Sequence, residues 1–348
     1  MIKSKNYGAL TAFIAALLFG AAAPLSKPLL RFLSDFQLAG LLYLGAALGV
    51  LPIIFRESGL SSLRRIPKRD ILRLSGAVLF GGILGPIFLL AGLRLASAGS
   101  VSLWLNLEMV ATAIIGFFFF KDHLSVKGWL ASLGALAAAS ILAWQGGIAG
   151  IKAGGLITLA CICWGVDNHL TALIDSISPA QSTFWKGLFA GSVNLALGAM
   201  TSPLTASPTQ ILGGLGLGAL SYGLSILMYI NAAQQLGATR SQLIFSSAPY
   251  FGLFLSVLLG ETLSIYQLIS LGLFMVSMIL LFKETHNHLH HHKNQIHLHQ
   301  HTHTDLHHTH DHTEDVPDAK WHSHKHSHTS TTHSHPHWPD LHHRHDHN

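Results

Sequence analysis

Apolar residues fill the first four-fifths of this chain in long blocks, separated by short polar stretches. A helix needs roughly 20 apolar residues, each rising 1.5 Å, to cross a hydrocarbon core. The pattern predicts ten such helices, at about 7–29, 35–55, 71–93, 99–120, 127–144, 153–174, 181–200, 210–234, 240–260 and 265–282. The expected fold class is an all-α membrane protein. The blocks are rich in Gly, Ala and Ser. Lipid tails do not drive helices together as water does, so close packing of small residues must do it. Gly45 with Gly49, and Gly187 with Gly191, have the four-residue spacing of such contacts.

Composition sharpens this picture. The 348 residues are 49% hydrophobic and only 11% charged, against about 25% charged in soluble domains. The contrast deepens once the very polar residues 285–348 are set aside. Lys3 and Lys5 precede a first apolar run with no small-residue cleavage pattern after it, so that run reads as a retained helix. Cys161 and Cys163 lie two apart on one helix and point to nearly opposite faces, as packing residues do. No extramembrane domain able to bind a nucleotide interrupts the series, which argues against ATP hydrolysis. There is no nucleophile–base set, phosphate loop or cysteine cluster, so an enzyme is not expected. Neither a nucleic-acid partner nor a required cofactor is expected. Membrane lipid is the expected surrounding, and the small-residue faces permit a homodimer.

Orientation follows from Lys and Arg placement. With the N-terminus inside, the inner side carries Lys3, Lys5, Arg56, Arg64, Arg65, Lys68, Arg69, Arg73, Lys121, Lys127, Arg240 and Lys283, and the outer side only Arg31, Arg94 and Lys152. This predicts a multi-pass protein of the cell inner (plasma) membrane with both termini cytoplasmic. The basic 56–73 stretch, RESGLSSLRRIPKRDILR, is its strongest topology signal.

The chain can be laid on itself. LLFGAAAPLSKPLL (17–30) aligns with ICWGVDNHLTALID (162–175), AGLRLASAGS (91–100) with AAQQLGATRS (232–241), and FKDHLS (120–125) with LGETLS (259–264). The offsets are 145, 141 and 139. They divide the chain into a first five-helix repeat at 1–145, a second at 146–284 and a tail at 285–348. An odd number of crossings inverts the second repeat relative to the first, a frequent architecture of secondary transporters that puts substrate near the midplane.

These residues also carry a resemblance. The stretch Leu220–Ser264, with Leu236–Ala238, Pro249–Tyr250 and Glu261, resembles the second EamA-type domain of the drug/metabolite transporter superfamily. LLFG (17–20) and CICWG (161–165) resemble the paired openings of the two domains, and 103–125 resembles the matching stretch of the first. The likeness spans residues 7–282, and it implies a ten-helix transporter fold while saying almost nothing of substrate. Two positions depart from the family pattern. Met109 stands near the usual helical proline, leaving open whether the fourth helix is broken, and Lys121–Asp122 replace the closing Gly-Glu.

Ionisable groups inside apolar helices are costly and mark cavities or partners. Glu108, Asp167 with Asn168 and His169, Lys186, and Lys27 are such groups. Trp104, Glu108 and Thr112 fall at i, i+4 and i+8, and Trp164, Asp167, Asn168 and Thr171 also share a face. An aromatic ring beside a carboxylate suits a cationic or zwitterionic ligand. The candidate substrate site is therefore Trp104, Glu108, Trp164, Asp167, Asn168 and Lys186. A structural ion pair of Lys186 with Asp167 or Glu108 is the competing reading. His169 alone reads as a satisfied core histidine.

The tail holds 24 of the 26 histidines. With few apolar residues it cannot form a core, so disorder is expected. Imidazole suits Zn²⁺, Ni²⁺ or Co²⁺, and alternating His–X–His lets a flexible chain wrap several rings round one ion. The candidate ligands are His286, His288, His290, His297, His299, His301, His303, His322, His324, His326, His328, His333, His335 and His337, with Asp305, Asp311 and Glu314 available to complete a shell. The expected function is a secondary transporter, an exporter of a small metabolite or divalent metal ion. The alternative is a membrane-anchored metal buffer or sensor that moves no solute.

Overall fold

The computed structural model describes residues 2–57, 66–120, 125–174, 176–236, 244–282 and four short tail segments at 289–292, 295–301, 322–328 and 331–334. His286, His288, His303, His335 and His337 lie outside the described residues, as do Lys121, Asp122, Arg240 and residues 58–65 of the basic 56–73 loop.

In chain order the helical rods are α1 (Gly8–Leu29), α2 (Asp35–Arg56), α3 (Lys68–Leu95), α4 (Ala98–Phe119), α5 (Val126–Gln145), α6 (Gly147–Ala172), α7 (Pro179–Thr201), α8 (Pro208–Ala232), α9 (Ala248–Leu258) and α10 (Ile265–Phe282). Among the described residues, seven of these are long and apolar enough to cross a membrane: α1–α6 and α8. The sequence pattern implies ten. The 11-residue α9 is short, and α7 carries Gln181, Lys186 and Asn194 within its 23 residues. Ser178, ahead of Pro179, and Ser207, ahead of Pro208, cap the starts of α7 and α8 by accepting from backbone N–H groups three residues on.

Small residues let backbones touch at the positions the spacing picked out. A Cβ at Gly45 would fall 2.1 Å from the Leu215 carbonyl oxygen of α8. At Gly187 it would lie 2.6 Å from the Tyr43 carbonyl oxygen, and at Gly191 2.8 Å from the Leu44 nitrogen. Helix α2 is thus clasped between α7 and α8. The apolar core is continuous around it, with Leu38, Leu42, Leu90, Leu93 and Ile157 fully buried. Cys161 and Cys163 are buried and free, consistent with packing.

Several rods are irregular. Val78–Leu84 in α3 and Ala219–Leu224 in α8 are π-helical, and their starts lie 141 residues apart. Helix α4 is interrupted at Leu105–Asn106, so the fourth helix is broken although no proline stands there. A like interruption at Ser246–Ser247 precedes α9, again 141 residues on.

Within the tail, the four described segments form two antiparallel pairs. Leu289–His292 pairs antiparallel with Thr331–Ser334, and Gln295–His301 with His322–His328, setting His297 opposite His326 and His299 opposite His324. Alternation of His with Ser, Gln or Lys has the period of two that suits a strand.

Candidate functional site

The polar cluster inside the bundle begins with an irregular backbone. A π-helical turn shifts the hydrogen-bond ladder and frees carbonyls that must find other donors. Gly81 and Gly82, in the π segment of α3, supply two. The Gly81 carbonyl accepts from both the Tyr43 hydroxyl of α2 and the Trp164 indole of α6, the latter at 3.1 Å. The Gly82 carbonyl accepts from the Asn194 amide of α7 at 2.9 Å. Three helices are thereby pinned to one widened turn.

Asp167 lies against that turn, 6% exposed. A Cβ at Gly81 would fall 2.0 Å from its Oδ2, so glycine is what lets α3 and the carboxylate meet. Lys186 Nζ of α7 donates to both Asp167 oxygens, at 3.0 and 2.8 Å, and Thr171 Oγ1 donates to Oδ1 at 2.8 Å. Both charged side chains are largely buried. Of the two ion pairs the sequence allowed for Lys186, the one formed is with Asp167.

Glu108 belongs to the adjoining helix contact. Asn168 Nδ2 donates to Glu108 Oε1 at 3.1 Å and to Thr112 Oγ1 at 3.3 Å, tying α6 to α4. His169 Nε2 lies 3.0 Å from the Thr112 carbonyl oxygen, the engaged core histidine the sequence suggests. Among the described residues no three His, Cys, Asp or Glu side chains gather closely enough to hold a metal ion.

Trp104 is elsewhere. Its indole donates to the Ala139 carbonyl of α5 at 3.0 Å and packs over Gly154. Gly154 is 13 positions before Asp167 on α6, ~20 Å at 1.5 Å per residue. The break at Leu105–Asn106 separates Trp104 from Glu108, so the assumed continuous helical stripe does not exist. Sequence reasoning missed Tyr43 and Tyr222, whose rings lie 5.6 Å apart. From Tyr222 an aromatic row continues through Phe19 and Phe245 to Tyr229. Single tyrosines in apolar runs gave no signal. Only the repeated π segments connect them, and those are backbone features.

Charges also collect at one end of the bundle. Glu261 accepts from the backbone N–H groups of Ala98 and Gly99, both at 2.8 Å, at the start of α4. Gly260, with φ of +98°, ends α9 in the left-handed conformation that turns the chain back. Lys27 Nζ donates to the carbonyls of Leu93 and Ala96 where α3 ends. Arg94 pairs with Asp35 and donates to the carbonyls of Leu30 and Leu33. At the opposite ends of these helices Arg73 joins Asp70, at 2.8 Å, to the Leu173 carbonyl beyond α6.

With this arrangement in view, comparison with known sequences is decisive. The sequence profile of the EamA-like transporter family matches residues 6–144 and again residues 152–283. The chain belongs to the EamA-like transporter family. This EamA-like transporter is 26% identical, over 76% of its length, to an uncharacterized transporter of Methanothermobacter thermautotrophicus, covering 82% of that protein. It is 23% identical, over 75% of its length, to the uncharacterized transporter YyaM of Bacillus subtilis, covering 88% of it. A solved crystal structure shares the fold, with a TM-score of 0.57 at 19% identity, covering 80% of this chain and 97% of that one. The EamA-like transporter is a multi-pass membrane protein. Its polar cluster joins α4, from the first matched segment, to α6 and α7, from the second.

Proposed function

We propose that this chain is a secondary exporter in which ten membrane crossings form two inverted five-helix halves. The substrate, a small metabolite or divalent metal ion, binds near the midplane beside Glu108, Trp164, Asp167, Asn168 and Lys186. The observation that carries the reading is the pair of linked contacts Glu108–Asn168 and Asp167–Lys186, which joins the two family segments inside an apolar body. Buried charges here are costly unless they are used. The π segments and helix breaks recurring at one 141-residue offset support the two-half architecture. Lys and Arg asymmetry supports cytoplasmic termini in an inner (plasma) membrane. The 24 tail histidines support capture of Zn²⁺, Ni²⁺ or Co²⁺ on that side, which would make metal the cargo or a regulator of export.

In proteoliposomes given a panel of divalent metals and amino acids, Glu108→Gln and Asp167→Asn are expected to abolish pH-driven flux while substrate exchange persists. Exchange needs only alternating access with cargo bound, whereas net driven flux needs a group whose protonation changes between the faces. Normal driven flux in both variants overturns the coupling role. Deleting residues 286–348 in the same assay separates the cargo classes. Loss of metal flux identifies a metal exporter, and unchanged flux of an organic solute identifies a metabolite exporter. A chain that binds metal through its tail and moves nothing would be the buffer or sensor instead.

A further inference from the structure

The Glu261 end of the bundle carries a half-open cavity of about 580 Å³, lined by Lys27, Arg31, Arg94 and Glu261 together with Pro24, Ser256 and neighbouring apolar groups. That is within the roughly 300–1,000 Å³ typical of small-ligand sites. The charges around it differ in how they are engaged. Both Glu261 oxygens face backbone N–H groups at the start of α4, where the helix dipole favours a negative charge. Arg94 is balanced by Asp35. Lys27 gives two of its three N–H bonds to carbonyls and keeps one. Arg31 is exposed on the cavity wall, and no hydrogen bond or ion pair engages its side chain among the described residues. Counting Lys27, Arg31 and Arg94 against Asp35 and Glu261 leaves one positive charge in excess, at Arg31.

We propose that this cavity is a second ligand site, distinct from the midplane cluster, which holds a carboxylate or phosphate group between the Arg31 guanidinium and the remaining N–H of Lys27. Arginine offers a planar fork of donors matched to both oxyanions. The apolar walls lower the local dielectric and strengthen the attraction. Lys27, Arg94 and Glu261 are already fixed to helix ends, so the site is formed before its ligand arrives, and little ordering opposes binding. A free anion and an anionic lipid headgroup present the same chemistry to it.

The test uses the full chain in phosphatidylcholine nanodiscs, following the thermal unfolding midpoint against inorganic phosphate at constant ionic strength, because a ligand of the folded state raises that midpoint. A parallel series replaces part of the lipid with phosphatidylglycerol. Arg31→Gln removes the excess charge at an exposed position, and Lys152→Gln removes an exposed cation outside the cavity. The expected result is a saturable rise that weakens by about tenfold or more in apparent affinity in Arg31→Gln and is unchanged in Lys152→Gln. A rise with phosphate in phosphatidylcholine identifies a soluble anion as the source. A rise only with phosphatidylglycerol, lost in Arg31→Gln, identifies the lipid. No rise in either series, or equal responses from Arg31→Gln and the parent chain, overturns the proposal. The midplane reading stands or falls separately on flux in Glu108→Gln and Asp167→Asn.

Discussion

Asp167 and Lys186 answer one buried charge with another, whereas Lys27 and Glu261 turn theirs toward the ends of helices. The two solutions differ in what they permit. A side-chain pair can be parted by a competing charge, a proton or a small rotation, and each partner keeps its chemistry. A charge seated on backbone N–H or C=O groups fixes where a helix starts or stops. The interior of this transporter is therefore equipped to rearrange, and its Glu261 end to hold geometry.

The largest expected effect tests the first half of that contrast. Lys186→Met should leave the Asp167 carboxylate buried and unpaired, at a cost of about 3–5 kcal/mol, read as a collapse in monodisperse yield after detergent extraction. Combining it with Asp167→Asn should restore yield. Failure of the double variant to recover would mean that Lys186 holds the bundle through something other than the pair. An intermediate effect is expected from Gly81→Ala. The new methyl meets Asp167 at Oδ2, Cγ and Cβ, so α3 and α6 must separate, at about 1–3 kcal/mol, visible as a lower unfolding midpoint. Gly155→Ala, where a Cβ meets nothing within 4 Å, is the matched control. The smallest effect is expected at the helix-end cluster. Glu261→Gln keeps one oxygen acceptor and turns an amide NH₂ toward the second N–H, costing about 1–2 kcal/mol. A loss as large as that of Lys186→Met would erase the distinction between the two regions.

Much of this was legible in the residues. Asp167, Lys186, Asn168 and Glu108 stand out because ionisable and amide groups are rare in apolar helices, and packing then brought them into linked contacts. Gly45 and Gly187 were readable because close helix approach demands small residues at that spacing. Trp104 was misplaced because a straight-helix projection assumes an unbroken ladder, and no proline announced the break at Leu105–Asn106. Tyr43, Gly81 and Asn194 stayed hidden for the same reason: their partners are carbonyls released by a π turn, an irregularity without a side-chain signature. The ten helices read from the sequence compare with seven described helices long and apolar enough to cross a membrane, and α7 falls outside those seven with Gln181, Lys186 and Asn194 along its length.

The π segment of α3 has a consequence for how this gene tolerates change. A π turn accommodates one residue more than the α-helical path around it, so the helix can shed a residue there without losing its length in the bilayer. Deleting one position within Val78–Leu84 would close the ladder into an ordinary helix and leave the residues beyond it in place. Arg94 would keep the Leu30 and Leu33 carbonyls, but the Gly81 and Gly82 carbonyls would return to their own helix and release Tyr43, Trp164 and Asn194. A single lost codon, harmless by composition, would thus unfasten α2, α6 and α7 from the middle of α3 while leaving its end seated.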